Sequence, residues 1–114
     1  MLAGARLSGI TVDCREPARL AEFWSALLGR APVEALPGWV RLAGDPVLNF
    51  QPVTEPKQGK VRLHLDVAVP DIDAAIAFVT ARGARTLDRH DYDEGVVIVA
   101  ADPEDNEFCL VQYY

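Results

Sequence analysis

Two residues in the stretch "LHLDVAVPD", His64 and Asp66, are of types that do chemistry, and they stand two positions apart. Leu63, Leu65, Val67 and Val69 alternate with His64, Asp66 and Ala68. A period of two predicts a strand over Val61–Val69 with an apolar face and a second face that carries the imidazole and the carboxylate. The last strand, near Glu107–Gln112, follows the same logic. Phe108 and Leu110 form its apolar face, so Glu107, Cys109 and Val111 point the other way. An imidazole beside a carboxylate can ligate a metal, move a proton, or form a hydrogen-bonded pair that orients an organic ligand. Thr11, Asp13 and Asp66 share the polar parity of their strands, and Asp66 can orient His64, bind a cationic ligand group, or sit at a wet rim. Trp39 belongs either to the core or to the wall of a binding site, where an aromatic ring stacks on a flat ligand. His90, in "DRHDYDEG", reads as an exposed loop histidine, with Tyr92 in the same loop. Cys109 is conceivable as a thiol in the site, but no basic neighbour is expected to activate it.

These residues need elements to position them. Ile10, Val12 and Cys14 mark a first strand in "LSGITVDC". In "REPARLAEFWSALLG", Leu20, Phe23, Trp24, Leu27 and Leu28 form a helical stripe, with Pro17 early and Gly29 at the stop. Short strands are expected around Ala31–Ala35, Gly38–Ala43 and Val47–Gln51, and "PVTEPKQGK" reads as a connector. The order then starts again. A strand leads to a helix in "DIDAAIAFVTARG", with Asp71 as N-cap, and then to strands near Ala84–Asp88, Val96–Ala101 and Glu107–Gln112. Sliding the chain by about 55 residues aligns the two halves, so the fold class is α+β, built from two βαβββ modules. Module one spans about 5–53, the connector about 54–60 and module two about 61–114.

The bulk numbers exclude several classes. The chain has 114 residues, enough for one domain with a modest core. Its net charge of -6 and pI near 4.7 disfavour a nucleic-acid partner. No apolar run reaches the ~20 residues that span a bilayer, and "MLAGARLSG" lacks the apolar core of a signal peptide. A cytoplasmic protein with Cys14 and Cys109 as free, buried side chains is the expectation. No G-x-S-x-G, P-loop or G-x-G-x-x-G motif occurs.

The duplicated order, "RLHLDVAVPDIDAAIAFVTARGA" and "DPEDNEFCLVQ" together resemble the vicinal oxygen chelate superfamily, the glyoxalase, bleomycin-resistance and dioxygenase group, and most of all its small glyoxalase-like proteins. The resemblance covers nearly the whole chain. It implies one cup-shaped curved sheet with a helix from each module outside, a small organic ligand in the cup and a homodimer. In the enzymes of the group it also implies one divalent metal, among which Zn, Ni, Mn and Fe are not distinguished. The usual ligands are a His on the first strand and a Glu on the fourth strand of each module. His64 and Glu107 match in the second module; in the first, Gly9 stands at the His position and Asn49, or Gln51 one register step away, at the Glu position. Asp105 stands where the group commonly has Gly. Glycine offers no donor and Asn only a neutral oxygen. The expectation is therefore a small-molecule-binding protein, with a metal-dependent lyase or isomerase using His64 and Glu107 as the alternative.

Overall fold

The computed structural model describes residues 2–114. Its elements run β1 (Ile10–Cys14), α1 (Pro17–Leu28), β2 (Pro32–Leu36), β3 (Trp39–Leu42), β4 (Leu48–Pro52), β5 (Asp66–Ala68), α2 (Ile72–Thr80), β6 (Arg85–Tyr92), β7 (Gly95–Ala101) and β8 (Glu107–Tyr113). They fall into two compact units that divide between Pro56 and Lys57. Each unit is a βαβββ module with a four-stranded mixed sheet, as the repeat predicts. Among the described residues no helix is long and apolar enough to cross a membrane.

In the first unit the strand order is β1-β4-β3-β2, with β1 parallel to β4 and the other pairs antiparallel. Helix α1 begins at Pro17, whose missing N–H is no loss in a first turn. It ends at Gly29, in the left-handed region at φ 68°, and the Gly29 N–H donates to the Ser25 carbonyl. Its stripe buries Leu20, Phe23 and Trp24, and α1 packs on β3 and β4, where Leu42, Leu48 and Phe50 are buried. Trp24 is thus core. Cys14 is buried and forms no disulfide; its thiol donates to the Gln51 carbonyl.

The second unit repeats the plan with the order β5-β8-β7-β6. Helix α2 starts at the predicted cap: the Asp71 carboxylate accepts from the Ala74 N–H, and the Gln112 side-chain oxygen accepts from the Ile72 N–H. Ile72, Ala75 and Val79 of α2 are buried, as are Val96, Ile98 and Ala100 of β7 and Phe108 and Leu110 of β8. The turn before β8 is built on Asp102, a nearly buried carboxylate that accepts from the N–H groups of Glu104 and Asn106. Asp105 takes φ 68° there, a glycine-like conformation that Asp tolerates better than most residues, and its carboxylate accepts from Arg85.

Two expectations change. The strand predicted over Val61–Val69 is shortened to Asp66–Ala68, and Leu63, placed by alternation on an apolar face, is 92% exposed. Residues 53–65 form no helix or strand, so the irregular connection is longer than predicted. The reason is local competition: the Val61 N–H donates to the Glu107 carboxylate instead of to a neighbouring strand. His90 and Tyr92 do not lie in a loop but on β6, which runs to Tyr92.

Candidate functional site

The strand registers decide which side chains share a face. In the second unit, Asp66 pairs with Cys109, Cys109 with Val99, and Val99 with Asp88. One row across the sheet therefore reads Asp66, Cys109, Val99, Asp88. The adjacent row reads Ala68, Val111, Val97, His90. Buried Ile98, Leu110 and Phe108 belong to the opposite face, the one toward the core.

His64 lies just before β5 and joins this polar face. Its Nδ1 is 2.9 Å from Asp66 Oδ1. A ring nitrogen of His64, a carboxylate oxygen of Asp66 and the Cys109 sulfur lie within 4.8 Å of one another. His64 and Asp66 are about half exposed, whereas Cys109 is nearly buried. Burial, and then the charge and hydrogen bonding of Asp66, push the Cys109 thiol up from its ordinary value. The thiol is thus a hydrogen-bonding partner of the carboxylate in its resting state, not a thiolate.

Glu107 is on the same strand face as Cys109 but is committed elsewhere. Its Oε1 accepts from Lys57 Nζ at 2.5 Å and its Oε2 from the Val61 N–H at 2.8 Å. The Lys57 hydrogen bond, reinforced by the Val61 N–H, holds its carboxyl below the usual carboxylate range, against the opposing effect of burial. The structure brings His64 together with Asp66 and Cys109, and turns both oxygens of Glu107 toward the connector.

In the first unit Thr11, Asp13 and Asn49 share the face away from buried Leu48 and Phe50, and Trp39, half-buried, has the parity of Arg41 on the same face. The Asn49 side-chain oxygen accepts from Arg41 Nε at 3.2 Å. Register also refines the correspondence between units. Thr11 falls on Asp66 in the 55-residue slide, and Thr11 pairs with Asn49 as Asp66 pairs with Cys109. Asn49 is therefore the counterpart of Cys109, and Val47 that of Glu107. A β-carbon on Gly9 would lie 3.1 Å from the Val47 carbonyl oxygen and 3.4 Å from Asn49 Nδ2. The first-unit counterparts of His64, Asp66, Cys109 and Glu107 are thus Gly9, Thr11, Asn49 and Val47, all without charge.

Sequence reasoning missed the place of Asp88, His90 and Tyr92 on the polar face of the second unit. His90 Nε2 lies 3.3 Å from Asp88 Oδ2, and the His90 and Tyr92 rings stack at 6.2 Å between centroids. The i, i+2, i+4 spacing of the three residues was the available signal.

The donor set fits a single ion. A nitrogen, an oxygen and a sulfur at this spacing can close on one metal at bond lengths of about 2.0–2.3 Å, once the thiol gives up its proton. Such a mixed set suits a borderline metal such as zinc better than manganese, which prefers oxygen ligands.

A model of the glyoxalase-like domain matches residues 9–111. No curated protein matches the chain in sequence. Among solved structures, a glyoxalase/bleomycin resistance protein/dioxygenase family enzyme from Burkholderia phytofirmans PsJN superposes with a TM-score of 0.78 at 17% identity, over 96% of this chain and 100% of that one. The fosfomycin resistance protein FosX from Mesorhizobium loti gives 0.76 at 18% identity, over 100% and 95%. A mutant FosX from Listeria monocytogenes, complexed with Mn(II) and 1S,2S-dihydroxypropylphosphonic acid, gives 0.79 at 14% identity, over 97% and 90%. At these identities the likeness is one of fold.

Proposed function

Because the chain belongs to the family of glyoxalase-like domains, we propose that it is a small-molecule-binding protein, with its organic ligand held on the polar sheet face that carries His64, Asp66 and Cys109. The observation that carries this reading is the state of the ligand positions implied by the resemblance. Gly9 has no side chain, register makes the donorless Val47 the counterpart of Glu107 while the Asn49 oxygen is taken by Arg41, and Glu107 is held by Lys57 and Val61. Only His64 keeps a ring nitrogen in a group of polar side chains. What the face offers is a hydrogen-bonding set: an imidazole, a carboxylate and a thiol beside half-exposed valines. Thr11, Asp13 and Trp39 form the corresponding face of the first unit, and a role for them as ligand-binding residues belongs to the same reading. A homodimer belongs to the same reading on the strength of the resemblance, as does a cytoplasmic location on the strength of the sequence composition.

A second reading has its own observation, the 4.8 Å grouping of three donor atoms. Here the protein would be a metal-dependent lyase or isomerase, as the Mn(II) complex of its structural neighbour suggests by analogy. His64, Asp66 and Cys109 would hold the ion, which would supply Lewis-acid polarisation of substrate oxygens. Glu107 would join them only by releasing Lys57.

Metal analysis of protein purified without chelator, beside a His64→Ala variant, separates the two. The binding reading expects no stoichiometric metal and thermal stabilisation by an aromatic or peptidic compound, weakened in the variant. One metal per chain that disappears in His64→Ala would overturn it in favour of the second.

A further inference from the structure

The polar face of the second unit has two ends of the same chemical kind. At the β5 edge, Asp66 meets the His64 imidazole and the Cys109 thiol. At the β6 edge, Asp88 meets the His90 imidazole and the Arg89 N–H, with Tyr92 stacked on His90. The register joins these ends in one row, Asp66 to Cys109 to Val99 to Asp88. Between the carboxylates the row holds only an uncharged thiol and a valine, and Val111 and Val97 extend this apolar floor into the next row. With three strand spacings of ~4.8 Å, the backbone positions of Asp66 and Asp88 stand about 14 Å apart.

The charges on this face are not balanced along the row. Arg85 is paired with Asp105, and Lys57 with Glu107. The Arg89 guanidinium is paired with Asp91, and the β7 partners of these two residues, Ile98 and Val96, belong to the core-side parity. Among the described residues neither Asp66 nor Asp88 forms an ion pair with a lysine or arginine. The face thus offers negative charge at both ends of an uncharged, partly apolar strip.

We propose that this face binds an organic cation with a slender apolar body and a positive group at each end, one held by Asp66 and the other by Asp88. The inference rests on the reading of this face as the ligand site and specifies the ligand class. The imidazoles accept or donate beside each cationic group, and the valine floor takes the hydrocarbon. An anionic ligand of the same length would meet like charge at both ends.

The test is titration of the full chain by calorimetry and methyl NMR with 1,10-diaminodecane, decylamine and decanedioate. The diamine should bind about fivefold more tightly than the monoamine, the gain expected of one additional exposed ion pair. It should shift the Val97 and Val99 methyl signals, and decanedioate should leave them in place. Asp88→Asn should weaken the diamine to the level of the monoamine without changing thermal stability, since Asp88 is exposed. If Asp66→Asn weakens the diamine and Asp88→Asn does not, the two-ended ligand is wrong and the binding face stands. If neither variant matters, or decanedioate binds as well as the diamine, this inference is overturned. Compounds of any class that ignore both Asp66→Asn and His64→Ala would sink the underlying reading as well.

Discussion

Lys57 reaches across 50 residues of sequence to place its ammonium 2.5 Å from Glu107 at the start of β8, and both side chains are less than one-fifth exposed. This contact, with the Val61 N–H on the other carboxylate oxygen, fastens the connector to the second unit.

Glu107→Gln should therefore destabilise the protein by about 2 kcal/mol, the scale of a charge-assisted hydrogen bond that loses its charge and leaves an ammonium half-satisfied. Lys57→Met should do the same. Chemical denaturation at pH 7 measures both.

The same pair sets a pH dependence. The Glu107 carboxyl titrates below its unfolded value of ~4.3, so the unfolded chain takes up the proton first as pH falls. The stabilisation is fully present above about pH 5 and is lost as pH drops through the unfolded value toward the lower folded one. Denaturation midpoints between pH 7 and pH 3 should fall less steeply for Glu107→Gln than for the wild-type chain. Parallel curves would contradict this assignment.

Cys109 should be a slow nucleophile. Its thiol is raised chiefly by burial and then by Asp66. Removing the negative charge in Asp66→Asn lowers the thiol toward its ordinary value, so alkylation at pH 8 should speed up several-fold, while Cys14, 2% exposed, stays unlabelled in the folded state. Labelling rates followed by mass spectrometry decide the matter. An unchanged rate in the variant would mean that Asp66 does not act on the thiol.

Gly95 opens β7 opposite Tyr113, and a β-carbon there would fall on the Gln112 carbonyl. The obstacle is backbone and cannot swing aside. Gly95→Ala should cost about 1–3 kcal/mol, the usual penalty for overpacking, read as a lower denaturation midpoint. Gly59→Ala is a useful control for backbone strain alone, because Gly59 has φ 70° and open space around its Cβ position.

The cap of α2 is shared by two side chains, Asp71 and Gln112. Asp71→Ala should cost ~1 kcal/mol, typical of a lost N-cap. Gln112→Ala leaves the Ile72 N–H without its partner and should cost a similar amount. Thermal melts of the single and double variants test whether the two losses add.

Much of this architecture is legible in the sequence because its signals are local. Pro17 and Gly29 bracket α1, and Asp71 opens α2, each through contacts within one or two turns. The helical stripe names Leu20, Phe23 and Trp24 as core by spacing alone. The failures come from long-range contacts. Alternation predicts a strand from Val61, but a carboxylate 46 residues away takes its N–H. Strand β6 is anticipated only as far as Asp88, and its continuation to Tyr92 escapes detection because all eight of its residues are exposed, so no apolar period marks its end. The candidate site divides the same way. His64 and Asp66 are found by parity, and Cys109 joins them through register. The commitment of Glu107 to Lys57 depends on where the connector runs, which no periodicity encodes.

The two halves share a plan, yet Gly9, Thr11, Asn49 and Val47 stand where the second half has His64, Asp66, Cys109 and Glu107. Duplication here provides no spare. At these four positions the ionisable groups are lodged in one copy, and the sister copy carries neutral side chains there. A single lesion among residues 64–66 would go uncompensated, because the matching positions of the first half carry no ionisable group.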